Sequence, residues 1–156
     1  MNDGRNRVPN GNIARARGSV KGRTMDWLKE YRIGIRDIDE EHQAIAQCIS
    51  NIEQAAAQYD RRSVHAALVR LGHLAQAHFT LEESLMRIHD YPRLEEHADE
   101  HKQFSVAIRG LQEHFLTANV FHDRIHFLHE WWDEHIQKHD KPYALHFLKR
   151  TALGRS

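Results

Sequence analysis

The chain of 156 residues contains a single cysteine, Cys48. That excludes a disulfide scaffold and any thiolate-built zinc or iron–sulfur site. Cys48 adjoins Ile49 and reads as a small apolar filler. Proline occurs three times, at Pro9, Pro92 and Pro142, always at the edge of a segment. No apolar run approaches the roughly 18 residues that a membrane-spanning helix needs. No apolar stretch follows the first basic residues, so a signal peptide is not indicated and a cytoplasmic location is expected. Net charge is missing as well, since 22 Lys and Arg offset 22 Asp and Glu. The apolar fraction of 40% suffices for one packed core. Histidine is the one type in excess, with 14 copies.

The zero net charge conceals an asymmetry. Residues 1–24 carry Arg5, Arg7, Arg15, Arg17, Lys21 and Arg23 against Asp3 alone, and the rest of the chain is correspondingly acidic. This arm also holds four of the eight glycines and almost no large apolar residue. It cannot bury enough surface to offset the entropy of ordering, so 1–24 is expected to be a disordered basic arm and 25–156 the folded domain. A solvated tail, or translation beginning at Met25, explains the arm more simply than nucleic-acid binding. No nucleic acid and no membrane insertion are expected.

Beyond Met25 the apolar spacing is helical. Ile38, His42, Ile45, Ile49, Ile52 and Ala56 recur at alternating steps of four and three. The same rhythm runs through Val64, Leu68, Leu71, Ala75, His78, Glu82 and Leu85. It continues in Leu94, His97, His101, Phe104, Ile108, Leu111 and Phe115, and in Phe121, Ile125, Leu128, Trp132 and His135. Each set is the seam of an amphipathic helix. Asp60 or Ser63 is a cap for the second helix. Tyr91-Pro92 separates the second from the third, and Asn119 is placed in the turn before the fourth. Pro142 is expected to interrupt the chain, with Tyr143–Lys149 as a last short helical piece. Four long helices with short connections predict an all-α, up-down-up-down antiparallel four-helix bundle.

The seams hold the wrong residues for a plain core. His42, His78, Glu82, His97, His101 and His135 all fall where the periodicity predicts the interior. Burying an imidazole without partners costs a few kcal/mol, and an ionised carboxylate costs more. His78 with Glu82, and His97 with His101, are four apart, so each pair aims at one point. Asp140, five residues after His135, reaches that point if the helix loosens before Pro142. A bound metal compensates this polarity, as bundles do elsewhere with side chains from facing helices. Imidazole and carboxylate donors without sulfur suit iron or manganese, with zinc or copper possible. Seven donors exceed the needs of one ion. Two ions sharing Glu82 and Asp140 is the simplest count, and a hydroxide then leaves the buried charge nearly balanced.

Other polar residues read more plainly. His122, His126 and His129 fall beside a seam and match nothing else. His65, His73, His89, His114 and His146 are placed at the surface. His139 is placed in solvent, though it precedes Asp140, and Glu83, Glu95, Glu96 and Glu100 are read as solvated carboxylates. A zinc protease is disfavoured, because His129-Glu130 meets Asp133 where the second histidine of His-Glu-x-x-His belongs.

The motifs as a set resemble the hemerythrin family, most closely its single-domain bacterial form. The likeness rests on Trp27, Tyr31, Ile33-Gly34-Ile35, Ile38-Asp39 and Glu41-His42-Gln43. It continues through His78-Phe79, Glu82-Glu83, Met86, Tyr91-Pro92, His97 and His101, and ends with Trp131, His135-Ile136, Asp140 and Tyr143. It spans roughly residues 26–145. The resemblance implies a non-haem di-iron site that binds O2 reversibly. His97, His101 and His135 would complete one six-coordinate iron. His42 and His78 would hold the other, which keeps an open position, and Glu82 and Asp140 would bridge the pair together with an oxo or hydroxo group. Ile45, Phe79, Trp131, Trp132 and Ile136 match the family's O2-pocket positions. Position 132 is Trp where the family usually has leucine. Its seam position points the indole inward between Leu128 and His135, crowding the pocket.

An O2 carrier, store or delivery protein, not an enzyme, is therefore the leading expectation. The alternatives are O2/NO or redox sensing, or a di-iron oxidase or peroxidase. A carrier implies an O2-consuming recipient and a sensor implies a signalling partner. Oxygen-activating di-iron bundles commonly use Glu-x-x-His on two helices, and this chain has no Glu-x-x-His. Five imidazoles against two carboxylates favour holding O2 over cleaving it.

Overall fold

The computed structural model describes residues 31–113 and 118–153, without the side chains of residues 118–120, 122 and 153. The expectations for the 1–24 arm, Met25, Trp27, His114, Phe115 and the side chain of His122 lie outside this description. Among the described residues there are five α-helices, one π-helical turn and no strand. They are α1 (Arg36–Ala57), α2 (Arg61–Ile88), α3 (Leu94–Glu113), α4 (Ala118–His135), the π turn (Ile136–Asp140) and α5 (Lys141–Leu153).

Local chemistry sets the helix ends. The Asp39 carboxylate accepts the amides of Ile33 at 2.7 Å and Gly34 at 3.3 Å, tying the approaching chain to the first turn of α1. Gly34 sits there at φ +87°, a conformation that a side chain would strain. Asp60 caps α2 by accepting the Ser63 amide at 3.1 Å. Tyr91-Pro92 falls in the link before α3. The fourth helix starts earlier than its apolar pattern suggests: Asn119 belongs to its first turn and not to the preceding link. Asn tolerates a first helical turn as readily as a loop, so propensity alone misplaces this boundary.

α1 packs against α2, α2 against α3, α3 against α4, and α4 back against α1. This is the square of an antiparallel bundle with short connections. Its interior is filled from the four seams: Ile38, Ile45, Ile49 and Ile52, Leu68 and Leu71, Phe104 and Leu111, Ile125 and Leu128. Gly72 faces Gln112, whose amide crosses from α3 to donate to the Leu68 carbonyl at 2.9 Å. A Cβ at position 72 would meet that amide nitrogen at 3.2 Å, so a larger residue there would push the Gln112 side chain aside by a few tenths of an ångström. No described helix is long and apolar enough to cross a membrane.

Pro142 does not interrupt the chain as expected. The helix passes into a π turn over Ile136–Asp140 and continues as α5, longer than the short piece anticipated. Proline has no amide to bond the carbonyl four residues back. The chain widens instead, and the Lys141 amide bonds the Ile136 carbonyl five residues back.

Candidate metal centre

Each long helix delivers part of one buried cluster. His42 comes from α1, His78 and Glu82 from α2, His97 and His101 from α3, His135 from the end of α4, and Asp140 from the π turn. All seven are buried, none more than 2% exposed. The i→i+5 winding makes the His135–Asp140 spacing workable, because residues five apart then lie about one turn apart. The Asp140 Oδ1 oxygen accordingly sits 3.1 Å from His135 Nε2.

The donor atoms fall into two groups. Glu82, His97, His101, His135 and Asp140 form one, and His42, His78 and Asp140 form the other. Asp140 divides its oxygens between them, with Oδ1 also 3.1 Å from His97 Nε2 and Oδ2 3.1 Å from His42 Nε2. Glu82 Oε2 lies 3.3 Å from His97 Nε2, 3.4 Å from His101 Nε2 and 3.7 Å from His78 Nε2. The carboxylates therefore stand between two imidazole sets. Adjacent ligands of a six-coordinate ion with bonds of about 2.1 Å are about 3.0 Å apart, against about 3.4 Å for a tetrahedral ion. The contacts of 3.1–3.4 Å span both spacings, so the donors stand at ligand-to-ligand distance from one another.

Hydrogen bonding inside the cluster is incomplete. His42 Nε2, His78 Nε2, His97 Nε2 and all four carboxylate oxygens of Glu82 and Asp140 are buried without an aligned hydrogen-bond partner. His101 Nε2 and His135 Nε2 face each other at 3.1 Å, so one proton at most fits between them. Leaving one such group unsatisfied costs about 1–3 kcal/mol, so seven together favour bound cations among them. The donor set fits a metal: nitrogen and oxygen, no sulfur, with lone pairs directed inward.

The outer ring nitrogens explain those directions. His42 Nδ1 is 3.0 Å from the Tyr31 carbonyl, His78 Nδ1 is 3.1 Å from Glu41 Oε2, and His101 Nδ1 is 3.0 Å from Glu83 Oε1. Each acceptor holds the proton on Nδ1 and frees Nε2 for the interior. Glu83 is thus not the solvated carboxylate expected from its position. The signal for it was weak: it reaches His101 across the α2–α3 interface, and helical spacing within α2 says nothing of that. Glu95 and Glu96 are exposed, and Glu96 pairs with Arg93.

Electrostatics follow the same plan. Burial pushes the Glu82 carboxyl up, as does Asp140, but the nearby imidazoles of His101, His97 and His78 outweigh them and hold it at about 2. Burial also opposes ionisation of Asp140, yet His135, His42 and His97 keep it well below the usual carboxylate range. Burial depresses His97, and Asp140 and Glu82 more than reverse this, raising it to about 9. His101 is lowered by burial and by His135. Two ionised carboxylates inside the bundle thus attract positive charge.

Aromatic rings wall the cluster. Phe79 stacks on His101 at 3.9 Å, and Trp131 stacks on His135 at 4.4 Å. Trp132 is fully buried and meets His42 and His78 edge-on at 5.4 and 5.5 Å. It does not lie beside His135 as its seam position suggested, because consecutive residues point about 100° apart and Trp131 takes that place. Ile45 and Ile136 are fully buried on α1 and the π turn. His139, expected in solvent, is half-buried and stacks on His135 at 5.2 Å.

The other described histidines keep away from the cluster. His65 and His73 are exposed. His126 pairs with Glu130 and His129 with Glu53. His146 donates to the His89 carbonyl and ties α5 to the end of α2, so neither is a plain surface residue. Cys48 is buried, and its thiol donates to the Ala67 carbonyl.

A helical bundle whose four seams meet at buried imidazoles and carboxylates is a metal-site bundle by class. Residues 33–144 match the family model described as Hemerythrin HHE cation binding domain, and the chain belongs to the hemerythrin family. It is 26% identical over 119 residues to bacteriohemerythrin of Stenotrophomonas maltophilia (strain R551-3), covering 76% of this chain and 78% of that one. Myohemerythrin of Riftia pachyptila is 29% identical over 117 residues, covering 75% and 88%. Bacteriohemerythrin of Methylococcus capsulatus is 28% identical over 123 residues, covering 77% and 94%.

Proposed function

We propose that the chain binds O2 reversibly at a non-haem di-iron centre and serves in oxygen carriage, storage or delivery, not as an enzyme. The observation that carries this is the division of one buried donor set by a shared carboxylate, Asp140, into a histidine-rich group and a sparser one. His97, His101 and His135 would hold one iron, His42 and His78 the other, and Glu82 and Asp140 both. With fewer protein donors, the sparser group would leave a coordination position for a small ligand. When bound, iron supplies the electrons that O2 takes up and recovers them on release.

The chain's own residues do the rest. Tyr31, Glu41 and Glu83 fix the rings of His42, His78 and His101 by holding the Nδ1 proton. Trp132, Ile45, Phe79 and Ile136, with Trp131 at the rim, keep bulk water from the donors. A dry, rigid wall discourages hydrolysis and proton leakage at the reacting group. Five neutral imidazoles contribute no negative charge, which favours holding O2 over breaking it.

The test is an optical spectrum of the anaerobically reduced protein before and after admission of air. A carrier gives an O2-dependent charge-transfer band that disappears on evacuation and returns with air. Oxidation without that reversible band would turn the reading toward an oxidase, a peroxidase or a redox sensor.

A further inference from the structure

We propose that Glu100 and His139, with a nitrogen of His135, form a second divalent-cation site at the rim of the bundle, through which metal reaches the buried cluster. The proposal rests on the metal-centre reading above and adds a route to it.

Glu100, His135 and His139 each offer one donor atom, and the three atoms lie within 4.8 Å of one another. Glu100 and His139 are half-buried, while His135 is 2% exposed. The triad therefore runs from solvent to the wall of the cluster. His135 belongs both to this triad and to the five-residue group of the buried cluster, with its Nε2 directed at Asp140. The π turn makes this possible by stacking the His139 ring on His135, 5.2 Å away and inclined by 13°. The His139 ring also approaches His97 edge-on at 5.8 Å.

A second feature singles out this rim. The Nδ1 atoms of His42, His78 and His101 have acceptors in Tyr31, Glu41 and Glu83. Those of His97 and His135, the two rings flanking His139, are buried and have none. The cluster is thus pinned on three sides and open to a further ligand on the side where Glu100 and His139 stand.

The physical need is plain. A divalent ion must shed most of its water before it enters a buried cage, and stripping it in one step is costly. A half-hydrated carboxylate beside an imidazole replaces that water in stages. Nitrogen and oxygen donors in this ratio suit Fe2+, Mn2+, Co2+ or Zn2+.

The test uses the full chain, stripped by a chelator and mixed anaerobically with Co2+, whose visible absorption reports binding in stopped flow. His139→Phe keeps the stacked ring and removes its donor, and Glu100→Gln keeps shape without charge. Loading at low Co2+ should slow by about tenfold or more in each variant. Wild-type loading should saturate with Co2+ concentration, whereas that of the variants should stay linear. The final Co2+ content and the Tm of the loaded protein should be the same in all three, because the rim site shares His135 with the buried cluster and is vacated once that cluster is filled. Equal loading rates would overturn the rim site and leave the buried centre intact. A lower final content in the variants would also overturn it, by showing that these residues support the buried cluster instead. A wild-type chain that takes up no Co2+ would sink the metal-centre reading itself.

Discussion

Trp132 is the largest fully buried side chain, edge-on to His42 and His78, with Phe104 at 5.7 Å. Its indole Nε1 has no hydrogen-bond partner. In Trp132→Leu the side chain shrinks by roughly 60 Å3, and at about 24 cal/mol per Å3 an uncollapsed cavity costs about 1.5 kcal/mol. Lost transfer of ring carbons adds about 1 kcal/mol. Removing the unpartnered N–H returns about 1 kcal/mol. The net loss is about 1.5 kcal/mol, a fall in Tm of roughly 3–8 °C. The cavity opens beside the sparser donor group, where water and anions would gain access. The iron-loaded variant should therefore autoxidise faster and bind O2 no more slowly than wild type. Thermal melts, stopped-flow O2 binding and an autoxidation time course read the three effects. Unchanged autoxidation with a lowered Tm would mean that the indole only fills the core. A Tm at or above that of wild type would refute the cavity arithmetic.

Glu82→Ala and Asp140→Ala should each lose both metal ions and not one, because a shared carboxylate serves both groups; a metal content near two per chain in either variant would refute the bridging role. Glu83→Ala should weaken metal affinity by about 10–100-fold by freeing the His101 ring, as measured by chelator competition. The fragment Met25–Ser156 should fold and bind metal as the full chain does, since every seam and donor lies after Met25; loss of helicity by circular dichroism would show that the arm is structural. The metal-free protein should be most stable between two limits. Glu82 is held at about 2 against an ordinary 4.5, so its contribution is present above 4.5 and lost as pH falls toward 2. His97 is held at about 9 against 6.5, so its contribution is full below 6.5 and lost as pH rises through 9. Thermal melts of chelated protein across pH check this, and a Tm that climbs steadily from neutral to alkaline pH would contradict the assignment for His97.

Much of the bundle is legible in the sequence alone. Alternating steps of three and four put Ile38 to Ile52 and Val64 to Ala75 on single faces, because side-chain direction repeats with the helical turn. The same local rule aligned His78 with Glu82 and His97 with His101. Polar residues among those apolar faces marked the cluster, since buried polarity without compensation is too costly to keep. Asp60 and Pro92 marked helix limits by bonding and sterics that act within a few residues.

What tertiary structure decided lies between helices. Periodicity says that Trp131 and Trp132 point different ways, but only the rotation of α4 against its neighbours gives His135 to the first and His42 and His78 to the second. Glu83 and His139 looked solvated because nothing within their own helices contradicts it. Glu83 reaches His101 across an interface, and His139 is turned onto His135 by the π winding. That winding brings Asp140 to the cluster as well. Pro142 withholds one amide, which allows the helix to widen, but the chain could equally have kinked or stopped. Packing against the other three helices selects among these outcomes, because it couples residues far apart in sequence, and local spacing carries no record of that coupling.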